Sequence, residues 1–289
     1  MSETMTMLQA INLALHDAME ADGKVLVLGE DVADPEEGGV VGITKGLSQR
    51  FGAHRVKSTP IAEQAIIGAA IGTAILGFKP VAEIMLMNFT TVAMDMIVNH
   101  AAKLRFMSGG QTSVPLVIRT MTGAGMGNGG QHSDFLEAWF AHTAGLKVVI
   151  PSTPADAYGL MLGCIADPDP CIFVEKMTSL WTKGEAPERN KAIPLGKARL
   201  VRKGSDVTVI TYGSQVFDAI KIADKVAADG ISVLQFNETA GGQSVFHLHF
   251  HVIPRFTGVP LRPHTGHMEA HDVLTAHGEK LREALAKGA

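Results

Sequence analysis

The stretch STPIAEQAIIGAAIGTAILGFKPVAEIM, residues 58–85, decides the fold of this chain. Its middle part, Ala62–Leu76, is rich in Ala and Ile and predicts a buried helix. Its end, Val81–Met85, is a short apolar run typical of a strand that is buried on both faces. The same alternation extends to both sides, and we therefore predict an α/β fold with a doubly wound, mainly parallel sheet.

The other predicted elements follow the same pattern along the chain. Further strands are predicted at Val25–Leu28, Val114–Ile118, Leu146–Ile150 and Cys171–Val174, and further helices at Leu8–Ala21, Asn88–Met107 and Asp156–Ile165. We assign residues 1–181 to this domain and residues 182–195, rich in proline and charge, to a linker. After it, Gly196–Val201, Asp206–Thr211 and Ser214–Ala228 predict the strand–turn–strand–helix start of a second α/β domain.

Composition excludes several classes of protein. The 289 residues are 46% hydrophobic and 19% charged, which excludes a disordered or collagen-like chain. The net charge of -4 offers no electrostatic footprint for nucleic acid or an anionic membrane. The longest apolar run has 13 residues, the N-terminus lacks signal-peptide features, and two cysteines indicate a reducing compartment. We predict a cytoplasmic protein without nucleic-acid or membrane partners.

Three features of the first domain leave alternatives open at this point. Glu63, at the start of an apolar helix, is either an acid that complements the helix dipole or a buried functional carboxylate. The glycine-rich segment Gly123–Gly130 satisfies G-x-G-x-x-G but lacks the acidic residue of a dinucleotide site, so a flexible loop that carries His132 is favoured. Cys164 and Cys171 fit a pair of buried thiols, while the turn Asp167–Pro170 offers oxygens for a hard cation, although most such turns bind nothing.

Several motifs occur in the order found in one protein family: Leu28–Val32, Thr59–Glu63, Met87–Thr90, Ala102–Gly110, Gln131–Ser133, Gly145–Pro151 and Ile193–Lys197. Through them, residues 1–235 resemble the β subunit of the thiamine-diphosphate-dependent component of 2-oxo acid (pyruvate) or acetoin dehydrogenase complexes. The resemblance implies a transketolase-type pyrimidine-binding domain. It also implies an oxidoreductase component that is active only with an α subunit, in a heterotetramer that serves a lipoyl-bearing acyltransferase core.

The resemblance assigns roles to individual residues. Glu63 matches the carboxylate that hydrogen-bonds the aminopyrimidine of thiamine diphosphate and favours its imino tautomer. Phe89 matches the aromatic residue that packs on the pyrimidine ring, and His132 the histidine that faces the substrate and the lipoyl group. Related chains bind a potassium ion, mostly through carbonyls, where this chain has Leu116, Cys164, Ile165, Asp167 and Asp169. The diphosphate and Mg²⁺ are expected mainly on the α subunit, because this chain lacks the Gly-Asp-Gly…Asn signature.

The C-terminal segment departs from this family. Seven of the 12 histidines lie in the last 43 residues, and His247, His249 and His251 alternate so that they would share one face of a strand. From spacing alone, a metal site and phosphate chemistry are both open. Residues 237–289 resemble the C-terminal part of a histidine-triad nucleotide hydrolase, which implies His249 as nucleophile and a phosphate-orienting set consisting of His247, His251, Asn237, Gln243 and Ser244.

The two resemblances together predict a chain made of one whole domain and two fragments. Residues 196–236 would be a truncated transketolase-type C-terminal domain, and residues 237–289 a histidine-triad fragment. We expect a junction near residue 235 that is artificial or artefactual, and a tail with few long-range contacts. A nucleotide phosphoramidase or an inactive hybrid are the alternative functions.

Overall fold

The computed structural model describes residues 4–203, 208–225, 230–234, 251–255, 258 and 271–286. These residues divide into two compact units. The first consists of the residues up to Lys203 together with Ile210–Ile222, and the second of residues 208–209 and the described residues from Ala223 onward.

A six-stranded sheet, parallel throughout, forms the centre of the first unit. Its strands are β2 (Val25–Gly29), β3 (Val56–Ser58), β4 (Lys79–Leu86), β5 (Val117–Thr122), β6 (Lys147–Val149) and β7 (Cys171–Lys176). They lie in the order β3-β2-β4-β5-β7-β6, and every neighbouring pair is parallel. This arrangement confirms the predicted fold class.

Helices cover both faces of the sheet, as its apolar strands require. Side chains of α1 (Met7–Ala21) and α6 (Pro154–Ala166) form a buried cluster with one face. Those of α3 (Glu63–Ile75) and α5 (Glu137–Ala141) lie in the cluster on the other face. The short helix α2 (Leu47–Phe51) belongs to the long loop that leads from β2 to β3. The chain thus alternates between the two sides of the sheet, which is the doubly wound arrangement.

The predicted helix Asn88–Met107 was wrong as one continuous element. The segment consists of a 3₁₀ turn at Met87–Thr91, a π-helical turn at Met96–Ala101 and the short helix α4 at Leu104–Met107. The hydroxyls of Thr90 and Thr91 bond back to the carbonyls three residues earlier, at 2.5 Å and 2.7 Å, and this local bonding competes with regular helix. The tight turn directly after β4 keeps Asn88 and Phe89 at the edge of the sheet.

The segment that we predicted as a linker is fixed to the first domain. Strand β1 (Thr4–Thr6) pairs antiparallel with β8 (Lys183–Glu185). Farther along, the Ile193 amide donates to the Gly159 carbonyl at 2.8 Å. Arg189 pairs with the buried Asp17, which also accepts a hydrogen bond of 2.6 Å from the Tyr158 hydroxyl. The segment is therefore an ordered strap across α1 and α6.

The predicted strands at Gly196–Val201 and Asp206–Thr211 are not formed in their described residues, 196–201 and 208–211. A strand is stable only beside a partner, and the six-stranded sheet ends at β3 and β6. The helix predicted from Ser214 is present as α7 (Gln215–Lys225).

The second unit contains three described elements. Strand β9 (Gly230–Leu234) pairs antiparallel with β10 (His251–Arg255), and helix α8 spans His271–Ala286. No helix within the described ranges is long and apolar enough to cross a membrane.

Candidate active site

The candidate site lies where the order of the strands changes direction. From β2 the chain moves to β3 on one side and then to β4 on the other, which creates a switch point between the carboxyl ends of β2 and β4. Open parallel sheets bind ligands at such points. The loops after β2, β3, β4 and β5 begin at this edge of the sheet, and they carry Glu30, Glu63, Phe89 and His132.

Glu63 begins helix α3 and is buried, with 8% of its surface exposed. Burial of a carboxylate is costly without a partner. Among the described residues, no side chain donates a hydrogen bond to the Glu63 carboxylate. Glu63 also borders a surface cavity of about 670 Å³ that is wide open to solvent and is lined by Ala62, Glu63, Gln64, Ala65, Gly68, Ala69, Val92 and Met96. The geometry therefore favours a functional carboxylate open to a ligand over a simple helix-dipole acid.

Glu30 is a second acid at the switch point, to which the sequence assigned no role. It directly follows β2, and burial, followed by the carboxylates of Glu63, Asp31 and Glu83, raises its pKa above the ordinary value. The close approach of β2 to β4 requires glycine at position 29, because a Cβ there would lie 2.8 Å from the Cβ of Glu83. The position of Glu30 directly after a buried strand was the signal that could have identified it.

Phe89 and His132 are brought together from different loops. Their ring centroids lie 5.6 Å apart, and the rings meet edge to face at 82°. Neither residue lines the Glu63 cavity. Val92, however, lines this cavity and lies only three residues after Phe89. One short turn therefore connects the aromatic pair with the wall of the cavity.

The glycine-rich loop before His132 is closed by backbone contacts. The Gly123 amide donates to the His132 carbonyl at 3.1 Å. A Cβ on Gly123 would lie only 2.2 Å from that same oxygen, so a larger residue would displace the loop. Gly125, Gly127 and Gly129 all have positive φ, which favours glycine.

A buried ionic triad lies on the strands beside the switch point. The Arg119 guanidinium donates to Glu175 through Nε at 2.6 Å and Nη2 at 2.9 Å, and to Glu83 through Nη1 at 2.6 Å. All three side chains are at most 6% exposed. Burial raises the pKa of Glu175, although the Arg119 charge opposes the shift. The two acids also raise the pKa of Arg119 against the effect of burial, so the guanidinium stays charged.

The residues of the predicted potassium site meet at the corner between α6 and β7. The Leu116 carbonyl accepts from the Cys171 amide at 2.9 Å, and the Cys164 carbonyl from the Asp167 amide at 3.2 Å. The side chains of both acids are already paired with cations: Lys147 contacts Asp167 at 2.6 Å, and Arg105 contacts Asp169 at 2.7 Å.

The pKa of Asp169 at this corner reflects these ion pairs. Burial would raise the pKa of Asp169, but Arg105 and Lys147 together hold it below its ordinary value. Cys164 is a buried free thiol, and contact with Cys171, together with burial, raises its pKa well above the ordinary value. The thiol is therefore unreactive, and only carbonyl oxygens remain for a cation. No cluster of three or more His, Cys, Asp or Glu suited to a metal occurs in the described part of the chain.

The histidine-triad residues cannot be placed in this way. Asn237, Gln243, Ser244, His247 and His249 lie outside the described residues. His251 begins strand β10, whose backbone pairs with Leu234 of β9. Their roles stay predictions.

Comparison with known families gives two matches. Residues 3–181 match the model described as "Transketolase, pyrimidine binding domain". Residues 196–234 match the one described as "Transketolase, C-terminal domain". A solved structure entitled "Split gene transketolase, inactive beta4 tetramer" superimposes with a TM-score of 0.61 at 18% identity, over 76% of this chain and 66% of that chain. This likeness supports the fold.

Curated relatives are more similar in sequence. A 3-methyl-2-oxobutanoate dehydrogenase subunit beta of Mycobacterium tuberculosis is 47% identical over 77% of this chain and 64% of its own length. The acetoin:2,6-dichlorophenolindophenol oxidoreductase subunit beta of Cupriavidus necator is 45% identical, over 80% and 70%. A pyruvate dehydrogenase E1 component subunit beta of Acholeplasma laidlawii is 47% identical, over 79% and 69%. The chain thus spans less than two thirds of the mycobacterial relative.

Proposed function

Because the chain belongs to the transketolase pyrimidine-binding family, together with the β subunits of 2-oxo acid and acetoin dehydrogenases, we propose that it is such a β subunit. In this role it supplies residues that activate thiamine diphosphate for decarboxylation or C–C cleavage and for acyl transfer to a lipoyl group. The observation that carries the proposal is the buried Glu63 carboxylate, which borders the cavity and accepts no hydrogen bond from a side chain of the described residues.

The residues present fit thiamine diphosphate. An aminopyrimidine offers a ring nitrogen that can share a proton with a buried carboxylate, and it offers a flat face on which an aromatic ring can pack. Glu63 and Phe89 are groups of these kinds at adjoining parts of one sheet edge. When bound, the cofactor supplies the carbon nucleophile and the electron sink of the reaction.

The chain's own residues have separate tasks in this proposal. Glu63 holds a proton at the contact with the ring nitrogen, and burial makes that contact strong because little water competes. Phe89 fixes the orientation of the pyrimidine. His132 can donate or accept a proton at the substrate and at the incoming lipoyl group. Glu30 holds a proton more readily than an exposed acid, which limits the negative charge beside Glu63.

An α subunit completes the site in this proposal. We expect it to hold most of the diphosphate and Mg²⁺, since this chain has no Gly-Asp-Gly…Asn signature. The working protein would be a heterotetramer that delivers acyl groups to a lipoyl-bearing core. A potassium ion would be held by the carbonyls of Leu116, Cys164, Ile165, Asp167 and Asp169, and its task would be to fix the corner between α6 and β7.

The test is reconstitution. The chain is co-expressed with α subunits of 2-oxo acid and acetoin dehydrogenases, and substrate-dependent reduction of 2,6-dichlorophenolindophenol is followed with thiamine diphosphate and Mg²⁺. We expect no turnover by the chain alone and turnover with an α subunit. Glu63→Gln should lower kcat by about 100-fold or more. Glu20→Gln, which changes an exposed acid on α1, is the matched control. Turnover without an α subunit, or full activity of Glu63→Gln, would contradict the proposal.

A nucleotide phosphoramidase is the alternative function, and the alternating His247, His249 and His251 favour it. We infer that, if this fragment is active, the chain hydrolyses adenosine phosphoramidate and His249→Ala abolishes the hydrolysis. Unchanged hydrolysis by His249→Ala would exclude this function.

A further inference from the structure

A side-chain clamp joins the two loops that carry Phe89 and His132. Asn88 Nδ2 donates to Asp134 Oδ2 at 2.6 Å and also contacts the Gly130 carbonyl at 3.3 Å. In return, the Asp134 amide donates to Asn88 Oδ1 at 3.3 Å. Both ends of the Asn88 amide are therefore used by one segment, and that segment contains His132.

The clamp has support on both sides. The carbonyl of Asp134 accepts from the Thr122 hydroxyl at 2.7 Å, which connects it to the end of β5. Asn88 is held in the 3₁₀ turn after β4, where its own carbonyl accepts from the Thr91 hydroxyl at 2.7 Å. Asn88 is thus fixed at the end of β4 and Asp134 at the end of β5, and the clamp restrains the loop after β5 that contains His132.

The rings of Phe89 and His132 depend on this restraint. Phe89 follows Asn88, and His132 lies between the two positions of the loop that the amide contacts, Gly130 and Asp134. An edge-to-face pair contributes only about 0.5–1.5 kcal/mol, and the flexible glycines before His132 oppose a fixed geometry. A charge-assisted hydrogen bond contributes more than a neutral one. These hydrogen bonds are exposed to water, so each contributes little alone, but together they engage both ends of the Asn88 amide and give a directional restraint that a single ring contact lacks.

We propose that Asn88, acting through Asp134, is a positioning residue that holds the His132 imidazole against Phe89 for the reaction proposed above. The inference rests on the proposed function for its catalytic consequence. The positioning of His132 by Asn88 does not depend on that function, because every contact involved lies within this chain. Asn88 touches no reacting atom in this proposal.

The first experiment measures geometry on the full chain. Histidine ring signals are recorded by NMR, and the His132 signal is identified by its loss in His132→Gln. Phe89→Leu shows how far the signal moves when the aromatic neighbour is removed. Asn88→Asp replaces the donor with a second carboxylate beside Asp134, and we expect the signal to move in the same direction. Adding Asp134→Asn reverses the polarity of the pair, and we expect the signal to return most of the way.

Asn99→Asp is the matched control. Asn99 donates to Asp95 at 2.8 Å, so the pair has the same exposed amide–carboxylate chemistry, and no hydrogen bond among the described residues joins it to the loop that carries His132. We expect no movement of the His132 signal in this variant. A His132 signal that is unmoved in Asn88→Asp, or moved equally in Asn99→Asp, would overturn the clamp.

The second experiment measures turnover with an α subunit. We expect Asn88→Asp to lower kcat about tenfold and to change KM less than twofold, with recovery to within about threefold when Asp134→Asn is added. A shifted signal with unchanged kcat would overturn the positioning role. Absence of turnover by the unsubstituted pair of subunits would instead refute the proposed function, and the NMR result would then decide the clamp alone.

Discussion

Replacement of Arg119 by methionine tests the buried triad most directly. The substitution keeps an unbranched side chain but removes the three hydrogen bonds to Glu83 and Glu175. Both carboxylates would then be buried without a cation. Removing one partner of a buried ion pair typically costs about 3–5 kcal/mol.

The loss of stability can also be calculated from the cost of protonating the two buried carboxyls. A carboxyl with an ordinary pKa of about 4.3 can be neutralised at pH 7 at a cost of about 3.7 kcal/mol, because each pH unit corresponds to about 1.36 kcal/mol. That is the ceiling for each acid, since a larger penalty would be avoided by protonation. We therefore expect a loss of about 4 kcal/mol if one carboxyl takes up a proton and about 7 kcal/mol if both do.

The sign of the pH dependence follows from the same argument. Burial already raises the pKa of Glu175, so its contribution to stability is favourable at low pH and is lost as the pH rises through the folded-state value. Loss of Arg119 removes the opposing attraction and raises the pKa further. Between pH 7.0 and pH 5.5, the difference in free energy of unfolding between the unsubstituted protein and Arg119→Met should shrink by about 2 kcal/mol for each neutralised carboxyl.

The assay is urea unfolding followed by tryptophan fluorescence. Both tryptophans of the chain, Trp139 and Trp181, lie in the first unit and report on it selectively. Arg50→Met, which breaks an exposed pair with Glu20, is the matched control, and we expect a loss of at most about 1 kcal/mol. A deficit of Arg119→Met that stays below about 2 kcal/mol, or that does not change between the two pH values, would refute this reasoning.

Three further predictions concern the frame of the domain. Burial would raise the pKa of Asp17, but hydrogen bonds from Arg189 and Tyr158 hold it below its ordinary value. The loss of melting temperature in Asp17→Asn should therefore be constant from pH 8 to pH 5 and shrink only below about pH 4. Gly145→Ala should lower the free energy of unfolding in urea by more than about 2 kcal/mol, because the new Cβ would lie 2.0 Å from the Ala102 carbonyl oxygen. The control Gly110→Ala has a similar positive φ but no atom within 4 Å of the new Cβ, so its loss should be clearly smaller. Thr6→Ala should lower stability by about 1 kcal/mol through loss of the α1 capping box, and an unchanged melting temperature would contradict this.

The parallel sheet could be predicted from the sequence because its strands are buried on both faces and appear as continuous apolar runs. The end of β5 was missed for a physical reason. A charge at Arg119 is typical of the end of a buried strand, yet here neighbouring strands supply Glu83 and Glu175, which allow the strand to continue to Thr122. Such compensation depends on residues 36 and 56 positions away, and no local pattern contains it.

The candidate site was also predictable only in part, because some of its features follow from local sequence and others depend on contacts between distant residues. The position of Glu63 at the start of an apolar helix left two interpretations open, an acid that complements the helix dipole and a buried functional carboxylate, and the structure shows that the residue is buried. Asn88 and Asp134 lie 46 positions apart, and each is an ordinary polar residue in its own segment. Their pairing follows from the adjacency of β4 and β5, which determines where the two loops meet.

The pairing of β1 with β8 has a mechanical consequence. Thr4 lies opposite Glu185, so the beginning and the end of the pyrimidine-binding domain are neighbours, and a short peptide could join them in a circular permutant. Beyond this strap, the chain makes further bonds to the first unit, from Arg199 to Asp156, from Tyr212 to Glu137 and between Ser214 and Lys176, so tension from the chain after Ile222 would load these bonds first. Only after these bonds break would force reach the strap between Lys183 and Ile193, so the pairing of β1 with β8 is protected from forces that act on the chain after Ile222.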